Sequence, residues 1–375
     1  MHCAGALAPI NARQECAGCY GILLGIWNFP PPTAPQAMTD NWQKDWDSYE
    51  AHAAELETPF VGRFVEHRFD YLHPVRLQSK VPKRLRKAYA VSVYCSDWGP
   101  VDAPPVVCIG GVANCAHRFH FLAAGLRRDH RVICMDWVGR GRSGWLADQS
   151  EYSLETCIEQ LRQALLHFGV SQVTLVGSSL GGTAAMLLAA RHPELVGRLI
   201  LNDTGPFIPA GRRRRRAETL ARHYVFRTPA EMGRKIGISL RNDGPLSEDV
   251  RLYNTYQQTR WSENEHGRVY RHDPRALMAY REDAHHNVNI WHDWSRLTQP
   301  ILVMHGMESD ALLPPTLRRM MRRPRLNVIH IPDTGHTPVL DNPDHIALIG
   351  SWLQDPTALG TSLCAVRSTE KVRYG

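Results

Sequence analysis

The sequence predicts an α/β protein: a doubly wound, mostly parallel sheet with an inserted helical cap. Three observations carry that expectation. Short β-branched and apolar runs, of the kind that fill strands buried on both faces, recur along the chain. Helical patterns alternate with them, which demands parallel crossovers. Residues 207–295 then break the alternation with a polar stretch rich in Arg, Tyr and Trp.

In chain order, Asp40–Leu56 has helical spacing through Trp42, Trp46 and Tyr49. Phe60–Leu72 and Ala88–Tyr94 read as strands, the second with Tyr89, Val91 and Val93 alternating with smaller residues. Val106–Ile109 is a buried strand that ends in Gly110-Gly111, and Ala116–Arg128 follows as a helix. Arg131–Asp136 is the next strand and runs into the glycine-rich turn Gly139–Gly144. Leu154–Phe168 is an amphipathic helix, with Leu161, Leu165 and Phe168 on one side. Val173–Val176 is a strand and Leu180–Arg191 a helix rich in Ala and Leu. Leu199–Asn202, Pro300–His305 and Leu326–Ile331 are further strands, and Ile346–Leu353 is the last helix. The organisation expected is an unstructured extension at 1–37, core at 38–206, cap at 207–295, core again at 296–355, and a patternless tail at 356–375.

Composition narrows the class. The chain has 375 residues, 43% hydrophobic and 22% charged, enough to bury a sizeable core. No apolar run reaches the ~18 residues of a membrane-spanning helix, so no membrane insertion is expected. Gly21–Trp27 is too short, and too poorly flanked, for a signal peptide. The nine cysteines are odd in number, and Cys108 and Cys134 fall inside buried strands. That favours a reduced, cytoplasmic protein over a disulfide-stapled one. Cys16-Ala-Gly-Cys19 stands without a second pair, which argues against zinc or redox chemistry. The net charge of +7 is partly local, in Arg212–Arg216 and Lys80–Lys87. Without a nucleic-acid fold signature these read as a solvated helix face and a solvated loop, and no nucleic-acid partner is expected.

The chemistry centres on Gly177-Ser178-Ser179-Leu180-Gly181, between a strand and a helix. A serine on that sharp turn is held in a strained conformation, and the residues two positions either side must lack bulk. Ser179 meets that spacing and Ser178 does not. A serine hydroxyl needs a base, and the base needs a carboxylate to orient it. His336 follows the Leu326–Ile331 strand in Pro332-Asp-Thr-Gly-His-Thr-Pro338 and is the candidate base. Asp310, in the loop after His305, is the preferred acid; Glu308 is its nearest competitor, and Asp203 after Asn202 is a second fallback. Two backbone N–H groups must face the developing oxyanion, and those of Val112 and Leu180 are the candidates. No metal or organic cofactor is implied.

These motifs together resemble the α/β-hydrolase fold superfamily, in its form with a helical cap, from about Phe60 to Leu353. The resemblance rests on Gly177-x-Ser179-x-Gly181-Gly182, Asp136-x-x-Gly139-x-Gly141-x-Ser143, Gly306-x-x-x-Asp310 and Gly335-His336. Where such proteins usually carry His-Gly in the oxyanion loop, this chain has Gly110-Gly111. Dehalogenases and epoxide hydrolases of this fold place an aspartate where Ser179 stands. The glycine-proline oxyanion motif of meta-cleavage C–C hydrolases and the His-Gly-Gly-Gly run of hormone-sensitive-type lipases are both absent. The resemblance therefore implies a serine esterase acting on a small-molecule carboxylic ester, lactone or thioester. C–C hydrolysis, a non-catalytic ligand binder using the cap cleft, and a basic surface-binding protein are the alternatives. Nothing in the residues points to oligoesters or polyesters, and the oligomeric state is not legible.

Overall fold

The computed structural model describes residues 41–74, 88–240 and 243–364. The extension at 1–37, the Lys80–Lys87 cluster and Cys3, Cys16 and Cys19 lie outside the described residues. The described chain starts with helix α1 (Asn41–Glu57), then strands β1 (Phe64–His73) and β2 (Tyr89–Trp98), which pair antiparallel. β3 (Pro105–Ile109), α2 (His120–Leu126), β4 (Arg131–Met135), α3 (Leu154–His167), β5 (Val173–Ser178), α4 (Leu180–Arg191) and β6 (Val196–Asn202) follow in alternation. The segment after β6 carries β7 (Phe207–Ile208), α5 (Ala210–Leu220), β8 (Val225–Phe226), α6 (Pro229–Leu240), α7 (Glu248–Gln257), β9 (Thr259–Ser262), β10 (Gly267–Tyr270), α8 (Pro274–Asp283), β11 (Val288–Asn289) and α9 (Trp291–Arg296). The alternation then resumes with β12 (Ile301–Gly306), α10 (Pro314–Met320), β13 (Leu326–Ile331), α11 (Pro343–Gln354) and β14 (Ser362–Cys364).

The main sheet runs β1-β2-β4-β3-β5-β6-β12-β13-β14. Only β1–β2 and β2–β4 pair antiparallel; every other neighbour is parallel. Both faces are covered. Val107, Ile109, Ile133, Met135 and Leu175 point into the layer shared with α3 and α4. Val106, Cys108, Val132, Cys134 and Val176 point the other way, against α2 and α11. This is why the strands read as unbroken apolar runs. α3 begins at Ser153, whose hydroxyl accepts from the Thr156 N–H at 3.2 Å, and buries Ile158, Leu161 and Leu165 against the sheet. Each such side chain stabilises the fold by about 1.5–3 kcal/mol.

Two expectations need correction. The segment between β6 and β12 is not purely helical, because β8, β10 and β9 form a small antiparallel sheet and β7 pairs with β11. The C-terminal tail is not patternless throughout, because β14 adds a parallel strand beside β13. All of β14 is exposed, so no hydrophobic alternation marks it in the sequence. Among the described residues the cysteines are free, and no helix is long and apolar enough to cross a membrane.

Candidate active site

β3 lies between β4 and β5, so the chain leaves it to one side through α2 and returns to the other through α3. Loops leaving the carboxyl ends of β3 and β5 therefore diverge and open a crevice, the place where sheets of this kind bind ligands. The register brings the strand ends level: Ile109 faces Gly177, Ser178 faces Asn202, and Met304 also faces Asn202. The next residues of each strand form the site.

Ser179 stands at the tip of the β5–α4 turn with φ 51° and ψ −113°, a conformation that L side chains rarely adopt. Tight packing holds it there. A Cβ on Gly177 would meet the Gly182 Cα at 2.6 Å, and one on Gly181 would meet the Ile109 carbonyl at 2.4 Å. The Ser179 N–H donates to Thr204 Oγ1 at 2.6 Å, and Thr204 in turn donates to the Asn202 carbonyl at 3.1 Å. Asn202 Nδ2 donates to Ser178 Oγ and to the Pro338 carbonyl, each at 2.8 Å. It thereby ties the serine turn to the loop that carries His336. Sequence reasoning missed Thr204 and Asn202, which bear no motif of their own; their place just after β6 was the available signal.

The acid beside the histidine is Asp203, not Asp310. His336 Nδ1 lies 2.7 Å from Asp203 Oδ2, and the Asp203 side chain has no exposure. Asp203 also accepts from Ser309 Oγ at 2.5 Å and from the Gly306 N–H at 3.1 Å. With its Nδ1 engaged, the His336 ring offers Nε2 to the cavity, where both His336 and Ser179 are lining residues. Asp310 instead is 61% exposed and accepts from Arg212 Nε at 3.1 Å. The physical reason is the turn after β12: its Ser309 hydroxyl caps the Ala311 and Leu312 N–H groups while donating inward to Asp203. Asp310, one residue on, is left facing out. Glu308 is exposed as well.

The oxyanion candidates flank the serine. Leu180 is the first residue of α4, so its N–H lacks an intrahelical partner. Val112 follows Gly111, whose missing Cβ would come within 3.4 Å of the Ser179 Cβ. This loop is pinned by its carbonyls: Trp137 Nε1 donates to Gly110 at 2.8 Å and Arg140 Nε to Val112 at 2.9 Å. From below, the buried Asp136 carboxylate accepts from the N–H groups of Ala116 at 2.6 Å and Arg142 at 2.7 Å. Burial raises its pKa to about 6. Gly141 has φ 55°, and a Cβ there would strike this carboxylate at 2.0 Å. Asp136 thus locks the glycine turn to the oxyanion loop.

Two cavities meet at Ser179. One, about 350 Å³, contains His336 and is lined by Arg212, Arg216, Lys235, Tyr224, Tyr270 and His272. Burial, with Arg140 and His223 adding to it, lowers the His272 pKa to about 4, which keeps that ring neutral near pH 7. The other, about 370 Å³, presents Leu180, Ile208, Ala276, Ala279 and Ile290. The arginine run expected as a solvated helix face is therefore largely turned inward on α5. Arg212 and Arg213 are buried and Arg216 is partly buried, while Arg214 and Arg215 are exposed. Arg213 pairs with Asp283 Oδ2 at 2.5 Å and lies over the Tyr280 ring.

A strained serine that shares a cavity with a histidine–carboxylate pair, at the switch point of a parallel sheet, is the arrangement expected of a hydrolase of the α/β class. A family model described as alpha/beta hydrolase fold matches residues 104–343, and the chain belongs to that family. Among relatives, a 3-hydroxybutyrate-oligomer hydrolase of Cupriavidus necator is 29% identical over 67% of this chain and 89% of its own. Esterase Rv0045c of Mycobacterium tuberculosis is 25% identical over 69% of this chain and 85% of its own. An α/β hydrolase structure from Novosphingobium aromaticivorans is 26% identical with a TM-score of 0.66, covering 78% of this chain and 98% of that one. Family and relatives support hydrolase activity.

Proposed function

We propose that this chain is a serine hydrolase of carboxylic esters, acting through Ser179, His336 and Asp203 by way of an acyl-enzyme. His336 Nε2 takes the Ser179 proton as Oγ attacks the ester carbonyl. The N–H groups of Val112 and Leu180 stabilise the oxyanion. His336 returns its proton to the leaving alcohol, then activates the water that releases the acid. Asp203 holds the ring tautomer and stabilises the imidazolium. The observation that carries this reading is the fully buried Asp203 carboxylate on His336 Nδ1, with His336 and Ser179 in one cavity. The two relatives named for oligoester and ester hydrolysis support it. The apolar side chains Leu180, Ile208, Ala276, Ala279 and Ile290 of the second cavity at Ser179 suit the hydrocarbon part of the substrate.

A fluorophosphonate probe should label the protein at Ser179 and fail to label Ser179→Ala. The same substitution should lower hydrolysis of 4-nitrophenyl acetate by ~10⁴-fold or more. Equal hydrolysis by both proteins would sink the reading.

A further inference from the structure

The cavity that holds Ser179 and His336 has an unusual charge balance. Arg212, Arg216 and Lys235 line it, and among the described residues no carboxylate does. Arg212 and Arg216 are one turn apart on α5, so both face the same way. Lys235 comes from α6 on another wall, its Nζ 4.8 Å from the Tyr224 ring centre. The nearby carboxylates stand outside the lining: Asp310 pairs with Arg212 itself, and Asp243 is shared with Arg118. Asp310 is exposed on the outer side of Arg212, and Asp243, whose charge acts on Arg216, is 3.0 Å from Arg118. Burial lowers the Arg216 pKa; Asp243 opposes the shift and Arg212 adds to it. Gathering like charges in a walled cavity costs stability that an incoming anion would recover. Tyr224, Tyr270 and Tyr280 line the same space and offer hydroxyl groups.

We propose that this cavity is an anion subsite: the substrate is an ester that also bears a carboxylate, which seats between Arg216 and Lys235 while its ester carbonyl reaches Ser179. The proposal deepens the ester-hydrolase reading and rests on it for the position of the scissile bond. Esters of hydroxy acids joined head to tail end in such a carboxylate. The other cavity at Ser179 offers Ile208, Ala276, Ala279 and Ile290 to the uncharged part, and its Arg212 and Arg213 are already paired with Asp310 and Asp283. An inward-turned basic face also accounts for three arginines of the run without a nucleic acid or membrane partner.

The test measures binding in the Ser179→Ala protein, so that turnover plays no part. The probes are the linear dimer of 3-hydroxybutyrate and its terminal amide, which differ by one charge, titrated by calorimetry. The acid should bind about tenfold or more tightly than the amide, the range of a charge-assisted hydrogen bond. Arg216→Gln and Lys235→Gln, each added to Ser179→Ala, should cut that preference at least threefold, and Arg214→Gln on the exposed face should leave it intact. Thermal melts identify any variant that fails to fold; if Arg216→Gln does, the exposed Lys235→Gln decides. Equal binding of acid and amide would overturn the proposal, as would a preference that survives both substitutions or falls equally with Arg214→Gln. Competition by inorganic phosphate stronger than by the acid dimer would overturn the carboxylate assignment. Failure of the wild-type protein to hydrolyse either dimer or 4-nitrophenyl acetate would instead sink the ester reading, and the acid–amide preference would still decide the subsite.

Discussion

Two loops of this molecule carry a carboxylate at the carboxyl end of a core strand, and they end in different states. Asp203, after β6, is fully buried and accepts from His336, Ser309 and the Gly306 N–H. Asp310, after β12, is 61% exposed and, among the described residues, forms its ion pair with Arg212. The strands are neighbours, and both loops lie at the crevice. The difference teaches that a strand-end position does not make a carboxylate an orienting acid. It must also be enclosed by donors that stabilise its charge. Here the β12 loop supplies those donors to the acid of the β6 loop.

The largest effect expected from this comparison is at Asp203. Asp203→Asn keeps the size but can present an N–H to His336 Nδ1 and so favour the wrong ring tautomer. A fall in kcat of ~10³–10⁴ is expected, read from ester hydrolysis at saturating substrate. Asp310→Asn should cost far less. If Asp310→Asn proved the more damaging of the two, the assignment of the acid would be reversed.

A second comparison targets the backbone that joins the loops. A Cβ on Gly306 would meet the carbonyl oxygens of Gly335 at 2.2 Å and Thr334 at 2.6 Å. Gly306→Ala must push the His336 loop away from β12, while Gly306 also donates to Asp203. Activity should fall by about 10²-fold, since displacements near 1 Å carry that effect. The melting temperature should drop as well. A variant with unchanged melting and activity would show that the two loops move independently. Ser309→Ala removes one donor from Asp203 and the cap of its own turn. About a tenfold loss of kcat is expected, with His336 still bound to Asp203.

Most of the core was legible because its signals are local. β3 to β6 and β12 to β13 are buried on both faces, so their apolar runs have few other readings. Ser179, His336 and the oxyanion loop likewise sit where strand ends and glycines place them. Asp203 was visible only as a fallback, because its claim depends on donors more than 100 residues away in sequence, at Gly306 and His336. The inward turn of Arg212 and Arg216 was not legible at all. Five consecutive arginines erase helical amphipathicity, so only the packing of α5 against α8 reveals which face is inside. β14 was missed for the opposite reason, since an exposed edge strand has no buried face to pattern.

The smallest effect belongs to Asp310 itself, and it links the two loops to the basic cavity. Arg212 lines the space beside Ser179, and its Nε donates to Asp310 Oδ1. Asp310 is exposed, so the pair is screened by solvent and contributes ~1 kcal/mol or less to stability. Its consequence is orientation: it fixes the guanidinium of Arg212, a residue that lines the cavity. Asp310→Asn retains an acceptor but removes the charge, so Arg212 should become freer and its cavity more positive. For a neutral ester kcat should change by less than about threefold, because neither Ser179 nor His336 is touched. For an ester that bears a carboxylate, KM should move more than kcat, since a positioning group acts on ground-state binding. A kcat loss comparable to that of Asp203→Asn, with KM unchanged, would place Asp310 in the proton relay and break the distinction between the two loops.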